Sequence, residues 1–209
     1  MLSASCIHEP VCRSPPQPER AWNTRVVSAL APWQHARMTM QKRRSFEADH
    51  FRKFLLVIDE SQEVESALFY AASRMQRSAG SIVMLYVIVP QEFQHWINVR
   101  QQQVEEETTK AKALFRLYRR KLNLAGFESV ACEEVIREGS KGEEIRKLID
   151  EDQDIAVLVL GASADPAGPG PLVSSLAAGT AAGRFPVPIT IVPGTLVLED
   201  MKALAEADK

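Results

Sequence analysis

Residues 54–90 read FLLVIDESQEVESALFYAASRMQRSAGSIVMLYVIVP: a strand, an acidic turn, a helix, a glycine stop and a second strand. Residues 54–58 form an uninterrupted apolar run that ends at Asp59-Glu60-Ser61, the pattern of a strand covered on both faces within a parallel sheet. Val64, Leu68, Ala71, Ala72 and Met75 then recur at helical spacing. The Ser61 hydroxyl suits an N-cap, Glu63 and Glu65 suit the positive end of the helix dipole, and Gly80 offers a left-handed stop. A second apolar run, residues 82–89, completes a βαβ unit.

The alternation continues outward from that unit. Ala111, Leu114, Phe115, Tyr118 and Leu122 make one apolar face of a helix over residues 104–124, closed by Ala125-Gly126. Residues 130–136 read as a short strand, Ile145, Leu148 and Ile149 as a short helix, and residues 155–160 as a strongly apolar strand. Leu172, Val173, Leu176, Ala177 and Thr180 suit the inward face of a further helix, and a last strand falls at residues 188–193. Between residues 91 and 103, Phe93, Trp96 and Ile97 are expected to pack on the sheet rim rather than form a lid. Such alternation predicts an open parallel α/β sheet with helices on both faces, because each right-handed crossover covers one side.

At 209 residues and 45% hydrophobic content the chain is large enough for one ordinary domain with extensions. A net charge of -2 gives no electrostatic reason to expect nucleic acid or an anionic membrane as partner. No apolar stretch is long enough for a transmembrane helix. Cys6, Cys12 and Cys132 do not form a disulfide framework, and Cys132 reads as a small buried hydrophobe, so a cytoplasmic location is expected. Residues 1–50, with Pro10, Pro15, Pro16, Pro18 and Pro32 and no sustained periodicity, read as a disordered extension, or as upstream residues of a product that starts at Met38 or Met40. The trio Cys6, His8 and Cys12 lacks the spacing that would complete a structural zinc site.

The chain resembles the universal stress protein family in several places and in the expected order. Val57-Ile58-Asp59-Glu60-Ser61 with its alanine-rich helix is similar to the family's opening, and Glu138-Gly139 to its turn into the third helix. Residues 155–162 look like its fourth strand with the following glycine, and residues 188–193 like its last strand. The resemblance spans roughly residues 53–193. It implies a single five-stranded parallel sheet in the order 3-2-1-4-5, of the adenine-nucleotide α-hydrolase-like type. The domain is accordingly placed at residues 51–195, with residues 196–209 as a C-terminal tail.

In such a sheet, ligands bind beyond the carboxyl ends of the central strands, where the strand order reverses. The resemblance implies that Asp59, Ser61, Val87, Gly161, Gly168, Gly170, Ser174 and Ser175 line this place and that ATP or AMP is the cofactor to test for. The family's ATP-binding branch carries Gly-x2-Gly-x9-Gly-Ser/Thr. Here Gly161 matches the first glycine, Ala164 stands at the second, Ser174 at the third and Ser175 at the hydroxyl position. Asp165 brings a negative charge into the loop, and Pro166, Pro169 and Pro171 remove amide donors. Asp59 serves equally well to order the turn, Ser61 is better placed as a cap than as a nucleophile, and Val87 is a residue that any parallel strand carries. A helix starting near Pro171 would offer its amino end to a smaller anion.

The reading is therefore a non-enzymatic stress-response protein acting through homodimerisation and an unidentified protein partner. The alternative is an ATP- or AMP-binding relative with weak ATPase or nucleotide-sensing activity. A nucleotidyl transferase or pyrophosphatase is disfavoured because His-x-Gly-His and Ser-Gly-Gly-x-Asp-Ser are both absent. A receiver domain is disfavoured because the third strand ends in Ile136-Arg137-Glu138-Gly139, without a phospho-acceptor aspartate. The dimer is expected through the edge at the last strand, where Ile189, Ile191 and Leu196-Val197-Leu198 would otherwise leave apolar surface.

Overall fold

The computed structural model describes residues 43–44, 47, 50–90, 97–177 and 185–206, which lie in the unit Met38–Lys209. Expectations for residues 1–42, Phe93, Trp96 and Thr180 fall outside the described residues. In chain order the elements are β1 (Lys53–Val57), α1 (Glu63–Ser78), β2 (Ser81–Ile88), α2 (Ile97–Leu124), β3 (Ala131–Glu138), α3 (Lys141–Glu151), β4 (Ile155–Ala162), a π-helical turn (Val173–Ala177), β5 (Ile189–Pro193) and α4 (Leu198–Glu206). The five strands form one sheet in the order β3-β2-β1-β4-β5, with every pairing parallel.

The apolar runs of β1 and β2 divide between two cores with the period of a strand. Phe54, Leu56 and Ile58 join Ile82, Met84 and Tyr86 on the face covered by α1, α2 and α4. Leu55, Val57, Val83, Leu85 and Val87 point to the other face, against Ile145 and its neighbours on α3. A strand buried on both sides needs apolar residues at every position, which is why no alternation is visible in its sequence. β3 is an edge strand and carries exposed Glu133 and Glu134. Lys53 Nζ meets Glu133 at 2.9 Å and Arg119 meets Glu134 at 3.0 Å. Charges on an outer strand oppose unwanted pairing with another sheet.

Several boundaries differ from the sequence reading. α2 begins at Ile97 rather than near 104, because Arg100 and three consecutive glutamines, 101–103, break the apolar periodicity there. α3 begins at Lys141, before its first buried isoleucine, and β3 runs on to Glu138. The left-handed residue that ends α1 is Ala79 (φ 51°), not Gly80. Gly80 is held by a different demand: a Cβ there would lie 2.4 Å from the Arg52 carbonyl oxygen and 2.5 Å from Met75 Sδ. Alanine takes the strained position because the next residue must have no side chain.

The segment ahead of β1 is attached to the fold. The Arg44 amide donates to the Gln153 carbonyl at 3.2 Å. His50 Nδ1 lies 2.7 Å from Asp154 Oδ1, and the Arg43 guanidinium donates to the carbonyl of Ile149. Residues 1–37 show no periodic apolar face in the sequence, so their deletion is expected to leave the thermal unfolding midpoint unchanged. A drop of several degrees in a calorimetric scan would refute this. The 196–209 segment, read as a tail, contains α4, and Met201 is 1% exposed within the same core as α1.

Candidate functional site

The strand order reverses between β1 and β4, and a crevice opens at their carboxyl ends. Asp59, Ser61, Glu63, Gly161, Gly170 and Val173 are among its walls. Asp59 follows β1, and its carboxylate Oδ1 accepts hydrogen bonds from the Ser61 amide at 3.0 Å and the Ser61 hydroxyl at 2.5 Å. This is a local turn stabilised by a side chain, and it consumes the hydroxyl that the sequence assigned to helix capping. Gln62 holds the N-cap position, with helical dihedrals and no side-chain cap bond. On its other oxygen, Asp59 meets Lys141 Nζ, the first residue of α3, at 3.5 Å.

Gly161 ends up against protein. A Cβ at this position would lie 2.4 Å from the Glu63 carbonyl oxygen and 2.7 Å from its carbon. The end of β4 therefore rests directly on the first turn of α1. Gly194, just past β5, is similarly close: its Cβ would stand 2.8 Å from the Ala162 oxygen and 3.0 Å from Glu63 Cβ. Both glycines make room for Glu63, which sequence reasoning treated only as a dipole partner.

The loop after β4 closes upon itself. Gly168 and Gly170 have φ of 127° and 98°, conformations that residues with a side chain rarely adopt. The Ser163 amide donates to the Pro169 carbonyl at 3.2 Å and the Gly168 amide to the Asp165 carbonyl at 3.0 Å. Asp165 Oδ1 accepts from the Ala167 amide at 2.8 Å, and the Asp165 amide donates to Ser163 Oγ at 3.2 Å. Donors that a phosphate cradle would present are thus spent within the loop, and three further positions are proline. The crevice that remains holds about 40 Å³, enough for roughly one to three waters.

The structure brings Asp59, Ser61, Gly161 and Gly170 together around this crevice. The other four sequence candidates stand apart from it. Val87 is buried in the core on the α3 side, where it packs with the Ile145 cluster. Gly168 lies within the loop. Ser174 and Ser175 are exposed on the π-helical turn, and Ser175 Oγ donates to the Leu172 carbonyl at 3.2 Å. Helical backbone begins at Pro171, as expected from the sequence, and takes the π-helical form over Val173–Ala177. A roomier cavity of about 460 Å³ lies away from the strand ends, between α1, the last turn of α2 and the β5–α4 connection, where Phe69, Leu124, Leu196 and Val197 form apolar walls.

Two tyrosines have perturbed phenols: Tyr118, read in the sequence only as part of an apolar helix face, and Tyr86, which the sequence reading did not single out. Tyr118 of α2 is buried and donates to the Asp59 carbonyl at 3.3 Å. Burial, with the nearby Asp59 charge, pushes its phenol up to about 12. Burial and the Glu107 carboxylate 2.6 Å away push the Tyr86 phenol up as well. Below the ordinary phenol value of 10.0, both folded and unfolded chains keep the Tyr118 proton and its contribution is whole. Above it the unfolded chain releases the proton first, so stability is lost by about 1.4 kcal/mol per pH unit as pH rises toward 12. Denaturant unfolding across that window should show a shallower decline in Tyr118→Phe, and identical slopes in the two proteins would remove Tyr118 as the cause.

Among the described residues no group of three or more His, Cys, Asp or Glu side chains could hold a metal ion, and no helix is long and apolar enough to cross a membrane. The fold and the place of the crevice define a doubly wound α/β domain of the adenine-nucleotide α-hydrolase-like class. The universal stress protein family profile matches residues 50–193, and the chain belongs to that family. Solved structures agree on the fold. The universal stress protein UspA from Lactobacillus plantarum is 18% identical, with a TM-score of 0.54 over 68% of this chain and 98% of its own. Hypothetical protein MJ0577 is 18% identical, with a TM-score of 0.52 over 69% and 96%. A universal stress protein family member from Burkholderia pseudomallei is 15% identical, with a TM-score of 0.51 over 68% and 96%. No curated protein sequence gives a significant match.

Proposed function

We propose that this chain is a non-enzymatic stress-response protein that acts through dimerisation and partner binding, and that its switch-point crevice takes no adenine nucleotide. The size of the crevice carries this reading. It holds about 40 Å³ between Glu63 and residues 169–171, whereas small-molecule pockets begin near ~300 Å³. The loop's internal hydrogen bonds keep it closed, and Asp165 adds a negative charge where a phosphate would need cations. Isothermal titration with ATP and magnesium is expected to give no saturable heat in the micromolar range. Micromolar binding would overturn the reading.

The second reading, an ATP- or AMP-binding member with weak ATPase activity, is favoured by Asp59, Ser61, Gly161 and Gly170 sharing one crevice at the strand reversal. It requires the 163–170 loop to swing away from Glu63, and the same titration separates the two. Support for the dimer comes from β5, which among the described residues pairs only with β4 and leaves Ile191 45% and the nearby Val197 54% exposed. An apolar strand edge of this kind favours pairing with a second copy. Light scattering should give the mass of two chains at micromolar concentration, and a monomer there would remove the edge-strand dimer.

A further inference from the structure

The outer face of α2 carries a second pattern, separate from the one that packs it on the sheet. Ala111, Phe115, Tyr118 and Leu122 face the core. On the opposite side Glu106, Ala113, Leu117, Arg120 and Leu124 are all exposed, Leu117 at 46% and Leu124 at 79%. Glu106, Ala113 and Arg120 follow one another at heptad spacing, which drifts by only ~20° per repeat around a helix. The three therefore sit in one line.

Charge along this line is divided. Glu105 and Glu106 occupy its amino-terminal half, and Arg116 and Arg120 its carboxyl-terminal half. Three cations on the flanks of α2 are paired within the chain, Lys110 with Glu60, Arg119 with Glu134 and Lys121 with Glu65, whereas the exposed Lys112 has no carboxylate partner among the described residues. Arg116 and Arg120, on the outer side, have no carboxylate partner among the described residues. Among the described residues Glu106 meets only Gln102, at 2.9 Å.

We propose that this face pairs with the same face of a second copy, antiparallel, about a two-fold axis at Ala113. Glu106 and Arg120 lie equally far before and after Ala113 in the sequence, so an antiparallel mate sets each glutamate against the other chain's arginine twice over. A two-fold contact of this kind must be self-complementary, and this line is. The small Ala113 at the axis lets the helices approach, Leu117 falls opposite Thr109 of the mate, and Leu124 opposite its Gln102. A parallel mate would instead oppose like charges. The chain's overall negative charge disfavours an anionic bilayer as the occupant. The contact goes beyond the edge-strand dimer and does not depend on it, because α2 and β5 present different surfaces.

Sedimentation of the full chain over a rising concentration series tests this. Arg120→Glu and Glu106→Arg each place like charges across the two-fold. Each is expected to weaken the α2 association at least tenfold while leaving the thermal midpoint unchanged, since both positions are exposed. Mixing the two variants should restore association, because each mixed pair regains opposite charges at both contacts. Association should also weaken with added salt. Association unaltered in Arg120→Glu, or variants that fail to recover on mixing, would overturn the proposal. Ile191→Glu distinguishes the two interfaces: it abolishes an edge-strand dimer and leaves the α2 association intact, so either contact can fail without the other.

Discussion

Replacing Gly161 with alanine is expected to destabilise the protein by about 3 kcal/mol, near the upper end for forcing extra atoms into a packed site. The new Cβ would stand 2.4 Å from the carbonyl oxygen of Glu63. That atom belongs to the first turn of α1 and cannot move without displacing the helix, so the strain cannot be relieved by a side-chain rotation. Ala164→Gly, three residues on and exposed, is expected to change stability by less than about 0.5 kcal/mol. Urea unfolding of both variants provides the comparison. A loss below about 1 kcal/mol for Gly161→Ala would show that β4 and α1 separate readily, and would reopen the crevice to a ligand. The larger loss means that packing alone accounts for a glycine which, by family resemblance, would belong to a phosphate loop.

The contrast between these two positions shows what sequence can and cannot convey. The strand and helix succession was legible because residues 54–58 and 82–88 are apolar at every position, and only a strand covered on both faces needs that. The strand order came from family resemblance, since periodicity says nothing about which strand lies beside which. Element ends were less legible. A glycine beside a helix end suggested a left-handed stop at Gly80, but the demand on Gly80 comes from Arg52 and Met75, and the stop fell to Ala79. The same limit applies at the site. Asp59 and Gly161 were found by position in a motif, whereas Glu63 lines the crevice from α1, and Lys141 of α3 and Tyr118 of α2 reach Asp59. Their convergence depends on how α1, α2 and α3 pack, which no local pattern records. Val87 shows a related limit: a residue near a strand end points to one face or the other according to a period of two, and here its side chain faces α3.

Removal of the chain after Val197 is expected to lower stability by about 3 to 5 kcal/mol, in contrast to the neutral removal of residues 1–37. α4 begins beyond residue 193, where the family match ends, and a domain trimmed to those limits would look complete by comparison with its relatives. The core says otherwise. Met201 is 1% exposed and belongs to the cluster formed by α1, α2 and the central strands, with Leu196 and Leu198 packed against it. Ser66 of α1 adds hydrogen bonds to the carbonyls of Gly194 at 3.2 Å and Leu196 at 2.8 Å, which fix the connection into α4. Met201→Ala alone should lose about 2 to 4 kcal/mol, while Lys202→Ala, one residue on and exposed, should stay within about 0.5 kcal/mol of the parent. Denaturant midpoints for the three proteins decide the matter. If truncation and Met201→Ala both unfold with the parent, α4 is an appendage. If they lose stability as expected while Lys202→Ala does not, the sequence beyond the family match is part of what holds the family fold together in this chain.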